Sequence, residues 1–168
     1  MQGGRKTAAD ADAFYEKYLM RRADEIKCPA QRDFLLGYYA HLLADGLYQA
    51  MIRDEVRVRA VWGRIRADAI LSLRARGMAE TWDSVKILLT RAERARETRA
   101  LEAEYLAEHP ESVYLTEILP TKTYPDWMDI LPSGAIPRKI AVMGCAPSPD
   151  PDCVPVALSR QEYREFTD

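Results

Sequence analysis

The ten prolines of this chain are distributed very unevenly. Pro29 and Pro110 bracket a long stretch that has none, and the other eight, at 120, 125, 132, 137, 147, 149, 151 and 155, all follow it. Proline lacks a backbone donor, collides with the preceding helical turn and pushes the residue before it toward extended backbone. Long helices are therefore open to residues 30–109 and closed to most of what comes after. The expectation is a mainly α protein: a bundle of about four helices over residues 1–110, then a proline-rich extended arm, 111–168, with short β-strands and a short C-terminal helix.

Apolar spacing places the helices. Within residues 47–76, Leu47, Met51, Val58, Val61, Trp62, Ile65, Ala69 and Leu73 recur at intervals of three, four or seven, which predicts one long central helix with that face in the core. Seven arginines, 53, 57, 59, 64, 66, 74 and 76, line its flanks against Asp54, Glu55 and Asp68. Glu55–Arg59, Asp54–Arg57 and Arg64–Asp68 have ion-pair spacing on a helix, and Gly77 is a natural stop. A first helix starts near Thr7, buries Phe14, Tyr15, Tyr18, Leu19 and Ile26, and ends at Cys28. Pro29 opens a second, which Asp45-Gly46 breaks unless it continues with a kink into Leu47. Thr81 caps a fourth helix running to Glu108. Its core face carries Trp82, Val85, Leu88 and Leu89, while Ile87, Leu101 and Tyr105 lie on the opposite side. Glu102, Glu104 and Glu108 stand at the end where the helix dipole favours cations.

In the arm, residues 113–119, 138–143 and 154–158 have β-like composition, and Ser159 with Glu162 spells a capping box for the last helix. Tyr124, Trp127 and Met128 supply apolar anchors.

Charge and cysteine content narrow the function classes. Residues 1–110 carry 19 basic and 17 acidic side chains, and residues 111–168 carry 5 and 9. Three irregularly spaced cysteines do not make a disulfide framework. No apolar run reaches membrane-span length, and the first residues lack the apolar core of a signal peptide. The reading is a soluble, cytoplasmic protein without membrane contact. Cys145, Asp150, Asp152 and Cys153 cluster, but their spacing is not that of a zinc site and no histidine is near. His41 and His109 have no nucleophile beside them, and no catalytic or phosphate-binding motif occurs. No catalytic residue, metal or cofactor is assigned.

What remains is contact. The expected function is a non-enzymatic protein–protein interaction or assembly module, such as a structural or connector component of a larger complex or virion. Its partner is another protein or a second copy, and its interface is drawn from Ile87, Leu101, Tyr105, Tyr124, Trp127 and Met128. The alternative is electrostatic, weakly sequence-specific nucleic-acid binding through Arg53, Arg57, Arg64, Arg66, Arg74 and Arg76. Residues 71–88 have a helix–turn–helix outline, but Glu80 and Asp83 open the would-be recognition helix.

Overall fold

The structure is a computed structural model that describes residues 10–121, 125–127, 132–136, 138 and 145–167. It is mainly helical, and the described residues contain no β-strand. Packing divides the chain between Asp54 and Glu55 into two compact units, whereas the shift in composition falls at residue 110.

In the first unit, α1 (Ala11–Tyr15) runs into a π-helical turn (Glu16–Met20) and a 3-10 turn (Ala23–Glu25) before α2 (Pro29–Met51). Asp10 starts α1 by accepting from the Ala13 N–H at 2.9 Å; the expected cap, Thr7, lies outside the described residues. Phe14 packs its ring 4.8 Å from Tyr18 and 5.0 Å from Tyr38, and Tyr15 sits 5.0 Å from Tyr39. Cys28 is extended and Pro29 stands in the first turn of α2, as the restriction on residues before proline requires.

The second helix does not stop at Asp45-Gly46. It continues to Met51, although a glycine inside a helix costs about 1 kcal/mol. The gain lies at the end: Arg53 donates to the Gln49 carbonyl at 2.8 Å, and the Ile52 N–H donates to Tyr48 O at 3.0 Å, so the last carbonyls find donors.

The second unit holds α3 (Glu55–Ala67), α4 (Ala69–Arg74), α5 (Trp82–Leu88), α6 (Arg91–Glu108), a π-helical turn (Tyr114–Ile118) and α7 (Arg160–Thr167). The single helix expected over 47–76 is thus the end of α2, then α3, then α4. Asp68 causes the second break. Its backbone is extended and its carboxylate accepts from the Ile70 and Leu71 N–H groups at 2.9 and 2.8 Å, so it caps α4 and does not pair with Arg64. Glu55 and Arg59 do meet, at 3.9 Å. The expected common apolar face is therefore divided. Val58, Val61, Trp62 and Ile65 form the core, while Leu47 and Leu73 are 67% and 58% exposed. Gly77 ends the segment with φ +76°.

The expected fourth helix is also two. Leu89 is extended and Thr90 starts α6 with a capping box: the Glu93 N–H donates to Thr90 Oγ1 at 3.2 Å and the Thr90 N–H donates to Glu93 Oε2 at 2.6 Å. Arg74 donates to the Leu88 carbonyl at 2.7 Å, and Arg94 to the Lys86 and Leu89 carbonyls, which closes the end of α5. Two helices in place of one explain the two apolar faces read from the sequence.

The expected β-strands are corrected where the structure describes them. Residues 113–119 contain the π-helical turn, anchored by the Ser112 carbonyl, which accepts from the Leu115 N–H at 2.9 Å and the Thr116 N–H at 3.0 Å. Residues 154–158 form no ladder. Of residues 138–143, only Arg138 is described. A β-like run needs a neighbouring strand to satisfy its backbone, and local turn bonds supply the alternative. The short C-terminal helix is present as α7. Its capping box forms, with the Glu162 N–H donating to Ser159 Oγ at 3.2 Å and the Ser159 N–H donating to Glu162 Oε2 at 2.6 Å.

Candidate functional site

The most unusual chemistry of the second unit is a set of buried charges around residues 156–158. Arg57, in α3, is only 7% exposed, and Glu97, in α6, only 6%. Arg57 donates to the Ala157 carbonyl and lies 5.2 Å over the Trp82 ring. Arg64 donates to Val156 O at 2.8 Å and to Glu162 at 3.0 Å. From the other side the Glu97 carboxylate accepts from the Ala157 N–H at 2.7 Å. Glu162 also faces Arg57 at 3.7 Å. Side chains of α3 and α6 therefore satisfy the backbone that a neighbouring strand would have satisfied, and Cys153, Ala157 and Leu158 are buried beside them.

Burial raises the Glu97 carboxyl above its ordinary value, and the backbone donors of residues 156–158 and Arg64 oppose that rise. Two turns onward, Glu104 receives two bonds of 2.7 Å from Arg160, and Glu108 two of 2.6 and 2.8 Å from Arg164. Glu104 and Glu108 are four residues apart, as are Arg160 and Arg164, so one face of α7 answers one face of α6. This accounts for carboxylates at the unfavourable end of the helix dipole. The Arg160 bond holds Glu104 below the ordinary carboxylate range. Arg96 does the same for Asp150, with bonds of 2.6 and 3.0 Å.

Tyr163 of α7 lies edge-on to Tyr105, 6.1 Å away. Burial, reinforced by Glu102 and Tyr105, pushes its phenol from the ordinary 10 up to about 12. The folded state then holds this proton more tightly than the unfolded chain, so stability falls as pH rises from 10 toward 12. A near-ultraviolet absorbance titration of the native protein should show a late phenol that Tyr163→Phe removes. Ionisation of every tyrosine near pH 10 in the folded protein would contradict the packing of α7.

The interface residues proposed from sequence are scattered. Ile87 is 71% exposed on α5, Leu101 is a core residue at 2%, and Tyr105 is half-buried between His109 and Tyr163. Trp127 is half-buried; Tyr124 and Met128 lie outside the described residues. The six arginines do not act as one surface either. Arg57 and Arg64 hold residues 156–157, Arg74 caps α5, Arg66 pairs with Glu80, Arg53 turns back on Gln49, and Arg76 is exposed. The solvated flank expected for Arg57 is a buried one.

Cys28 is half-buried, Cys145 exposed and Cys153 buried, all as free thiols, and burial pushes the Cys153 thiol up. Among the described residues no group of three metal-ligating side chains comes together, and no described helix is long and apolar enough to cross a membrane.

In the first unit, α2 presents a face that sequence reasoning did not single out. Leu36, Leu43 and Leu47 are 39%, 42% and 67% exposed, with Ala40 and Ala50, also exposed, between and after them. The intervals are four, three, four and three, the spacing of a coiled-coil seam. The aromatic contacts with α1 use Tyr39, on its flank, and Tyr38, on the opposite side of the helix. A Cβ added at Gly37, beside the seam, would meet nothing within 4 Å. The sequence carries the signal in the broad apolar arc of this helix, from Phe34 to Leu47, but an arc alone does not show which part of it is covered.

Comparison of the chain with family models, curated proteins and solved structures found no match.

Proposed function

We propose that the protein is a non-enzymatic interaction or assembly module. The observation that carries this reading is the seam on α2: three leucines and two alanines in heptad spacing, exposed to solvent. Its flanking positions are nearly free of charge, in a chain with 30% charged residues. Contiguous exposed apolar surface of this kind marks contact sites. The buried charges support the non-enzymatic part, because Arg57, Arg64, Glu97 and Glu162 are engaged with the chain's own backbone and with one another.

Nucleic-acid binding through Arg53, Arg57, Arg64, Arg66, Arg74 and Arg76 is the weaker reading. A phosphate contact needs an accessible guanidinium, and Arg57 is buried. Size-exclusion chromatography with light scattering, on the protein alone and in cell extract, tests the proposal. A species heavier than one chain is expected. A monomer in both conditions, with anisotropy titrations showing salt-sensitive binding to an oligonucleotide, would replace it with the alternative.

A further inference from the structure

We infer that the occupant of the α2 seam is a second copy of the same helix, running antiparallel, with the twofold axis at Leu43; this rests on the reading of the protein as an interaction module. The seam from Leu36 to Ala50 is about 22 Å long at the rise of an α-helix. Its order of large and small side chains decides the direction. Leu36 lies seven residues before Leu43 and Ala50 seven after; Ala40 lies three before and Leu47 four after. An antiparallel pair therefore sets leucine against alanine on both sides of a central Leu43 pair, and the layers fill evenly. A parallel pair sets Leu36 on Leu36 and Ala40 on Ala40, alternating crowded and empty layers, which packing disfavours.

The charges bounding the seam follow the same symmetry. Arg32 and Asp33 stand in the first turns of α2, eleven and ten residues before Leu43, and Arg53 and Asp54 follow it by ten and eleven, in the turn just after the helix, where Arg53 folds back on Gln49. Antiparallel pairing brings unlike signs together at each end, and parallel pairing brings like signs. Between them the only acidic or basic side chains are His41 and Asp45, whose helical phase puts them on the far side from the seam. Gly37 and Ala44 on one flank allow close approach of the backbones; Gly37 has open space where a side chain would stand.

The seam is shorter than the interfaces of permanent dimers, so the pair should be reversible and appear with rising concentration. Light scattering of the full chain up to about 1 mM should show a monomer–dimer equilibrium. Leu43→Glu, which places two carboxylates at the axis, should weaken it by roughly tenfold or more, with the helical circular dichroism unchanged because Leu43 is 42% exposed. Direction is read by oxidative cross-linking in a Cys28→Ser, Cys145→Ser background. Leu36→Cys mixed with Ala50→Cys should give a covalent dimer, and neither should alone. Cross-linking of Leu36→Cys with itself, or a dimer indifferent to Leu43→Glu, overturns the inference. A chain monomeric at every concentration that is heavier in cell extract overturns the second copy and leaves the interaction reading standing; a monomer in both overturns the two together.

Discussion

A chain ending at Pro149 is expected to lose the cooperative unfolding transition of the second unit. Truncation removes the Val156 and Ala157 carbonyls that accept from Arg64 and Arg57, and the Ala157 N–H that donates to Glu97. Three buried or half-buried charged groups are left without those partners, and each orphaned group costs about 1–3 kcal/mol. The sum, roughly 3–9 kcal/mol, is comparable with the whole stability of a typical domain, about 5–15 kcal/mol. The buried Cys153, Ala157 and Leu158, with the cover that α7 gives α6, go as well. Urea denaturation followed by tryptophan fluorescence reads the effect, since Trp62 and Trp82 both lie in this core. An unchanged midpoint would mean that residues 150–167 merely rest on the body. A chain ending at residue 110, the expected limit of the helical bundle, also lacks the buried charges' partners and should behave in the same way.

Arg57→Ala should destabilise the second unit by about 3–5 kcal/mol, the range for removing one member of a buried charge pair. The substitution deletes the donor to Ala157 O, the stacking over Trp82 and the neighbour of Glu162, and leaves a cavity in a closed core. Glu162 keeps Arg64 at 3.0 Å, which favours the lower part of that range. Arg59→Ala, two positions on and 65% exposed, should stay within about 0.5 kcal/mol. Urea midpoints of the two variants provide the comparison. Equal midpoints would return Arg57 to the solvated flank that helical spacing suggests, and with it to the candidate nucleic-acid contacts. The loss should not add to that of the truncation, since both act on one network.

The local grammar of the chain was largely legible. Pro29 at the start of α2, Gly77 as a stop, the Ser159–Glu162 box and the core face from Val58 to Ile65 follow from rules that act within a few residues. Two further signals of the same kind were present and outweighed by periodicity. Thr90 with Glu93 is as good a capping box as Ser159 with Glu162, yet an unbroken apolar pattern ran across it. Asp68 was assigned to an ion pair with Arg64 when its short carboxylate was also a cap. Periodicity survives a break when the pieces on either side bury different faces, so it overestimates helix length. The β-like runs fail for the opposite reason, because composition cannot show whether a neighbouring strand exists.

The functional surfaces divide along the same line. By sequence, Arg53, Arg57 and Arg64 are equivalent cations on a helix flank. What separates Arg57 and Arg64 is backbone about a hundred positions later, at Val156 and Ala157, brought there by the fold. Glu104 and Glu108 look misplaced on α6 until Arg160 and Arg164 arrive at matching spacing. Leu47 reads as core, and nothing in the spacing of Leu36 and Leu43 tells otherwise for them, because a leucine's spacing is the same whether or not another helix covers it. The sequence by itself determined where helices can start, stop and turn, since those preferences are satisfied by neighbours in the chain. Which charges are buried and which leucines are left in water was decided only by tertiary structure, because burial depends on what distant segments bring to each face.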